Sequence, residues 1–194
     1  MKIFKTLSIL LAFIGFVISM MTAYAVQTAT NSELLLYSTM KYQRFQFVSN
    51  FYYFRLSHFE SCPNINADIL PLTYVLQGLT MEHMNNKKVF KVADKLIKIG
   101  CDVNEYNNMG LTALQLSIIS AEPEAAEFLL QKRADPYKKA IDGAYSLMET
   151  YSFTRYTGMN AFNIAENLKA SFKEKNDNQY IKMVKIIGLL NSKI

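Results

Sequence analysis

"LIKIGCDVNEYNNMGLTAL", Leu96 to Leu114, and "LLQKRADPYKKAIDGAYSL", Leu129 to Leu147, coincide when the first is slid along the chain onto the second. Asp102 falls on Asp135, Gly110 on Gly143 and Leu114 on Leu147. Each recurring type has a mechanical reason to recur. A Leu-Ile or Leu-Leu pair ends an amphipathic helix, Asp and Asn hold a turn, and Gly makes the next bend.

A second echo pairs "GLTALQLSI", Gly110 to Ile118, with "GMNAFNIAE", Gly158 to Glu166. Gly158, Ala161, Phe162, Ile164 and Ala165 stand where Gly110, Ala113, Leu114, Leu116 and Ser117 stand. Gly158 lies well beyond Gly143, the place the first recurrence gives it, and this excess predicts an insertion between about Ala144 and Thr157. Either "GAYSLMETYSF" starts the helix in register and the later segment follows it, or the turn is extended. Both put Tyr145, Tyr151, Phe153 and Tyr156 near the turn side, as a loop tucked on the body or one that touches a partner.

These segments resemble the ankyrin repeat, a unit of about 33 residues made of a β-turn and two antiparallel helices. Gly110 to Ser117 is similar to the opening Gly-x-Thr-Pro-Leu-His-x-Ala, and "FLLQKRADPY", Phe128 to Tyr137, to the closing Leu-Leu-x-x-Gly-Ala-Asp-Pro-Asn. "KIGCDVN", Lys98 to Asn104, matches that ending one unit earlier. The chain departs from the pattern at Ala113 for Pro, Gln115 for His and Arg133 for Gly. A left-handed residue is expected at Arg133, strained by roughly 1 kcal/mol.

Working outward, "SCPNIN" at Ser61 parallels "GCDVN" at Gly100, and "LPLTYVLQG", Leu70 to Gly78, reads as another first helix. "TMEHMNNKK" lengthens the turn that follows it. Ser32 to Lys41 and Tyr42 to Phe59 read as two helices, with Ser32 as N-cap. The second is dense in aromatics; Phe45, Val48, Tyr52, Leu56 and Phe59 share one face, Phe47, Phe51 and Phe54 the next, and they are expected to pack on the first repeat as core, with a second partner-contact face as the rival reading. Gln179 to Asn191 is an amphipathic cap with Ile181, Val184, Ile187 and Leu190 inward. The expected fold is all-α, about four helix pairs stacked in an ankyrin-like solenoid. The expected units are N-terminal capping helices over 26–66, a repeat over 67–106, the best-matched repeat over 107–139, and a repeat with insertion and C-terminal cap over 140–194.

The segment from Met1 to Ala25 differs from the rest. Lys2 and Lys5 precede an uncharged run, Leu7 to Met21, and Ala23-Tyr24-Ala25 has the form of a signal peptidase site. Cleavage after Ala25 is expected, giving a periplasmic or secreted protein that begins at Val26. A retained anchor is the rival, because Leu7 to Ala25 comes close to the roughly 20 residues that a spanning helix needs. The net charge of +5 would fall by two with the leader. So small and scattered a charge argues against nucleic acid.

Cys62 and Cys101 enter an oxidising pathway, where a bridge is permitted. Equivalent places in a regular stack lie roughly 10 Å apart, beyond the ~7 Å Cα limit, so a bridge requires local distortion. His58 and His83 are the chain's two histidines, with no ligand-spaced Cys or carboxylate beside them. No phosphate loop, nucleophile elbow or Cys-x-x-Cys occurs. The expectation is therefore a binding protein, not an enzyme, with no cofactor and no metal.

The resemblance implies contact through turn tips and first-helix positions: Tyr106, Asn108, Met109, Leu111, Ile119, Ser120, Lys139, Ile141 and Asp142. It also implies a protein partner, with no membrane contact after cleavage and a monomer when free. Bacterial immunity proteins that occlude a toxic effector come first. Accessory proteins of envelope or stress enzymes, secreted host-interaction proteins and an enzyme with an unrecognised site follow.

Overall fold

The computed structural model describes residues 2–41, 46–65, 70–142, 156–173 and 177–192. Within them the protein is all-helical: α1 Lys2–Thr28, α2 Asn31–Thr39, α3 Gln46–Ser57, α4 Pro71–Gln77, α5 Asn86–Lys98, α6 Ala113–Ile119, α7 Pro123–Gln131, α8 Ala161–Phe172 and α9 Asp177–Asn191, with a 3₁₀ turn at Gly78–Thr80.

Local chemistry sets these boundaries. Helices α2, α6 and α8 each open on a capping box, Thr30 with Glu33, Thr112 with Gln115 and Asn160 with Asn163, so two orphan donors are satisfied reciprocally at each start. Thr30, not Ser32, therefore caps α2. Pro71 and Pro123 begin α4 and α7, where a missing N–H costs nothing.

Helices α2 and α3, α4 and α5, α6 and α7, and α8 and α9 pack as pairs, and α2, α4, α6 and α8 touch in series. No pair closes its own apolar face. One cluster runs through them all, from Leu35 and Leu56 through Val92, Leu96, Leu114 and Leu129 to Ile164, Met183 and Ile186. Burial of this kind is worth roughly 1.5–3 kcal/mol for each such side chain.

The recurrences noted in the sequence carry identical bonds. Cys101 donates its N–H to the Leu96 carbonyl at 3.0 Å, and Ala134 repeats this with Leu129 at 2.9 Å. The Asp102 carboxylate accepts from Asn104 N–H, and Asp135 from Tyr137 N–H, both at 2.8 Å. Gly100 at φ +95° matches Arg133 at φ +66°, so the expected left-handed arginine is present.

The insertion is bracketed by the same logic. Asn107 N–H donates to Leu111 O and Gly110 N–H to Asn107 O; Ala140 N–H donates to Met159 O and Gly158 N–H to Ala140 O. The two turns follow one plan, and the second is interrupted between Asp142 and Tyr156. Gly110 and Gly158 take φ +73° and +79° at equivalent places. Helix α8 then starts at Ala161, so "GMNAFNIAE" is the helix opening. Tyr145, Tyr151 and Phe153 lie outside the described residues; Tyr156 is buried.

Three expectations need correction. In α9 the buried set is Met183, Ile186 and Leu190, whereas Ile181 and Val184 are exposed. Both sets have helical spacing, and packing on α7 and α8 selects the first. In α3, Tyr52 and Leu56 are buried, but Phe47, Phe51 and Phe54 point outward instead of joining the core. Phe45 lies outside the described residues.

The cysteines form the third. Cys62 and Cys101 are joined by a disulfide with Cα atoms 4.9 Å apart, far closer than equivalent places in a regular stack. Segment Ser61 to Ile65 is irregular chain leaving α3 and not a copy of the Cys101 turn, so it approaches the stack more closely.

Helix α1 is apolar from Leu10 to Thr28, with mean hydropathy 1.8, long and apolar enough to cross a membrane and consistent with an export signal. It passes through Ala25 unbroken. Val26 is the first buried side chain among the described residues, packed with Leu34 and Tyr52. The Arg55 guanidinium binds the carbonyls of Val26 and Ala29 and so holds the end of α1 on α3.

Candidate protein-binding surface

The turn between α5 and α6 is built by Asn107, a buried side chain whose Oδ1 accepts from Met109 N–H and Leu111 N–H, each at 3.0 Å. Tyr106 leaves this turn and pairs with Thr112 in an isolated β-bridge. Its hydroxyl donates to the Lys139 carbonyl at 2.6 Å, and the Lys138 ammonium sits 4.2 Å over its ring. Burial pushes the phenol pKa up, with Asp135 adding to it. Ile141 N–H donates to Gly110 O at 3.0 Å, so the next turn lies directly against the first.

Tyr106, Asn108, Lys139, Ile141 and Asp142 are therefore brought together on adjoining turns. Lys139, Ile141 and Asp142 are exposed, Ile141 at 48%, while Tyr106 and Asn108 are half-buried. The Asp142 carboxylate accepts from the Thr157 hydroxyl at 2.9 Å, which ties the far side of the insertion to the tip.

The other predicted contacts divide. Leu111 is 1% exposed and belongs to the core, because the Asn107 loop turns its side chain inward. Met109 and Ile119 are partly buried and pack on the same cluster. Part of their apolar surface is taken up by this packing and part stays open, as for Tyr106 and Asn108. Ser120 is exposed, but caps the opposite end of α6 from the turn, a helix length of about 10 Å away.

Gln115 organises this region, and its position was legible only as a departure from the repeat pattern. Its Oε1 accepts from Thr112 N–H at 2.9 Å, and its Nε2 donates to Lys138 O at 2.8 Å and Met159 O at 3.3 Å. One buried amide thus fastens a helix start to both sides of the next turn.

The His58 ring is used locally. The Ser57 hydroxyl donates to the Phe54 carbonyl at 2.6 Å, and His58 Nδ1 meets that same carbonyl at 2.8 Å. Ser57 Oγ lies 3.5 Å from His58 Nδ1, at the long limit of a hydrogen bond, and each atom meets the Phe54 carbonyl at a shorter distance. Among the described residues no group of three or more His, Cys, Asp or Glu is placed to hold a metal ion. The Thr73 hydroxyl is buried without a partner beside a cavity of about 20 Å³, lined also by Leu76, Ser117 and Ser120. That volume suits one water and no organic ligand.

No family model matches the sequence, and no curated protein is similar to it.

Proposed function

We propose that this chain is an exported ankyrin-type module that binds a protein through its turn tips, and that its role is immunity: occluding the active site of a toxic effector. The observation that carries the reading is the juxtaposition of consecutive turns, in which the Tyr106 hydroxyl bonds Lys139 O and Gly110 O bonds Ile141 N–H. Turns fixed to one another by such bonds present side chains at set spacing, and a preordered surface loses little entropy on binding. Ile141 supplies an apolar anchor, with Lys139 and Asp142 as opposite charges around it. The export-type helix α1 supports action in the periplasm or outside the cell.

The test is capture from an envelope fraction with the tagged exported protein, beside Ile141→Asp and Lys139→Glu. Both replace exposed side chains, so both variants should fold normally. The reading expects a hydrolase-type toxin retained by the wild type, lost at least tenfold from Ile141→Asp, and restored growth of cells expressing that toxin. Equal capture by all three proteins removes the surface. Capture of a non-toxic envelope enzyme replaces immunity by an accessory role.

A further inference from the structure

Outside α1 and the turn tips, the outward side of α3 departs from an ordinary surface. Phe47, Phe51 and Phe54 are 42%, 44% and 64% exposed, at intervals of four and three that align them on one face. Fully buried Leu56 lies on the opposite side of the helix. Such a row is costly in water, since each ring forfeits burial that other aromatics of the same helix obtain.

What flanks the row indicates its occupant. One position on along α3, Val48, Tyr52 and Arg55, with Phe59 just past the helix, flank the end of α1. On the other flank, Lys88 of α5 donates to Ser49 Oγ at 2.7 Å and Asn50 Oδ1 at 2.9 Å, and the Lys91 ammonium lies 4.2 Å over the Tyr53 ring. Helix α5 carries Lys87, Lys88, Lys91, Lys95 and Lys98, which a 3.6-residue turn spreads over an arc of about 100° facing away from buried Leu96.

Charge is concentrated there. Helices α3 and α5 hold six cations against one acid, an excess equal to the formal +5 of the entire chain. That acid, Asp94, is already bound by Lys98 and Lys132. Three phenylalanines between a basic helix and a helix apolar enough to cross a membrane match one environment, a bilayer with anionic headgroups. Rings enter the acyl boundary while ammonium groups remain among phosphates.

We propose that the α3–α5 face rests on an anionic lipid bilayer, with Phe47, Phe51 and Phe54 entering the interface and Lys87, Lys91 and Lys95 meeting lipid phosphates. The stripe and the lysines belong to the body, so contact does not depend on whether α1 is kept. Partner capture by the turn tips would then take place beside the membrane, and failure of either proposal leaves the other standing.

The chain contains no tryptophan. Phe54→Trp, and independently Phe51→Trp, therefore create single reporters in the exported protein, with Ile181→Trp on exposed α9 as the control. On vesicles of phosphatidylcholine containing phosphatidylglycerol, the α3 reporters should shift to shorter wavelength and be quenched by brominated acyl chains, whereas the α9 reporter should not. Joint replacement of Lys87, Lys91 and Lys95 by Gln should weaken binding about 100-fold, roughly fivefold for each lysine. Circular dichroism verifies that each variant keeps its helices. The proposal is overturned if α3 reporters emit alike in buffer and on vesicles, if α3 and α9 reporters respond equally, or if the shift follows protein concentration or added DNA instead of lipid.

Discussion

Gln115 Nε2 and the carbonyl oxygen of Lys138 lie 2.8 Å apart, a bond between the first helix of one unit and the turn that opens the next. Gln115 is 1% exposed, so no water replaces what the amide provides. Gln115→Leu leaves Thr112 N–H and the Lys138 carbonyl short of a partner in a buried place, while Met159 O keeps the Ala140 N–H, and should cost about 3 kcal/mol. Gln115→His keeps one donor and one acceptor and should cost clearly less. Urea unfolding of the two variants checks the ranking; equal losses would mean that volume, not hydrogen bonding, matters there.

Arg133 at φ +66° occupies the place that Gly100 fills one unit earlier. Arg133→Gly should stabilise by about 0.5–1 kcal/mol, the relief of left-handed strain less the added freedom of the unfolded chain. Gly100→Ala should do the reverse by a similar amount, although a Cβ there meets no atom within 4 Å. Opposite shifts in Tm are the expected result.

The Cys62–Cys101 bridge joins positions 39 apart in sequence. Loop-closure entropy sets its worth near ~4 kcal/mol, and denatured-state structure reduces this, so a Cys62→Ser/Cys101→Ser chain should lose about 2–4 kcal/mol. For a body of this size the drop in Tm is roughly 5–15 °C. A melt of the native protein with and without dithiothreitol should reproduce that gap, and the double-serine variant should not respond to the reductant.

Asp94 accepts from Lys132, the C-cap of α7, and Lys98 of its own helix, and these bonds hold its carboxyl pKa below the ordinary value. A carboxyl depressed in the folded state contributes stability that is complete above its unfolded pKa and is lost as pH falls through the folded pKa. Asp94→Asn should therefore be about 0.5–1 kcal/mol less stable than wild type near neutral pH. The difference should vanish in strong acid. A gap that persists unchanged to low pH would exclude the ion pairs as its source.

The helical class was legible because Leu114, Leu129 and their neighbours recur at a spacing that suits paired helices. The turns were legible because Asp102, Asp135, Gly110 and Gly158 are chosen by backbone geometry, which is local. Faces were harder. Helix α9 offers two apolar stripes, and only contact with neighbouring helices distinguishes Met183 and Ile186 from Ile181 and Val184. In the same way Leu111 and Ile141 are both aliphatic residues near turn tips, but Asn107 turns the first inward. The bridge was obscured because sequence parallels between Cys62 and Cys101 say nothing of how an irregular segment is routed. The turn tips were thus predictable by place, and the exposure of each side chain on them was not.

Val26 is the outermost anchor of the folded body, and the bond expected to be cut is the one just before it. Cleavage at that bond would therefore fall on the border that packing sets. Among the described side chains none before Val26 is buried, so loss of the apolar segment ahead of it would strip no described residue from the interior.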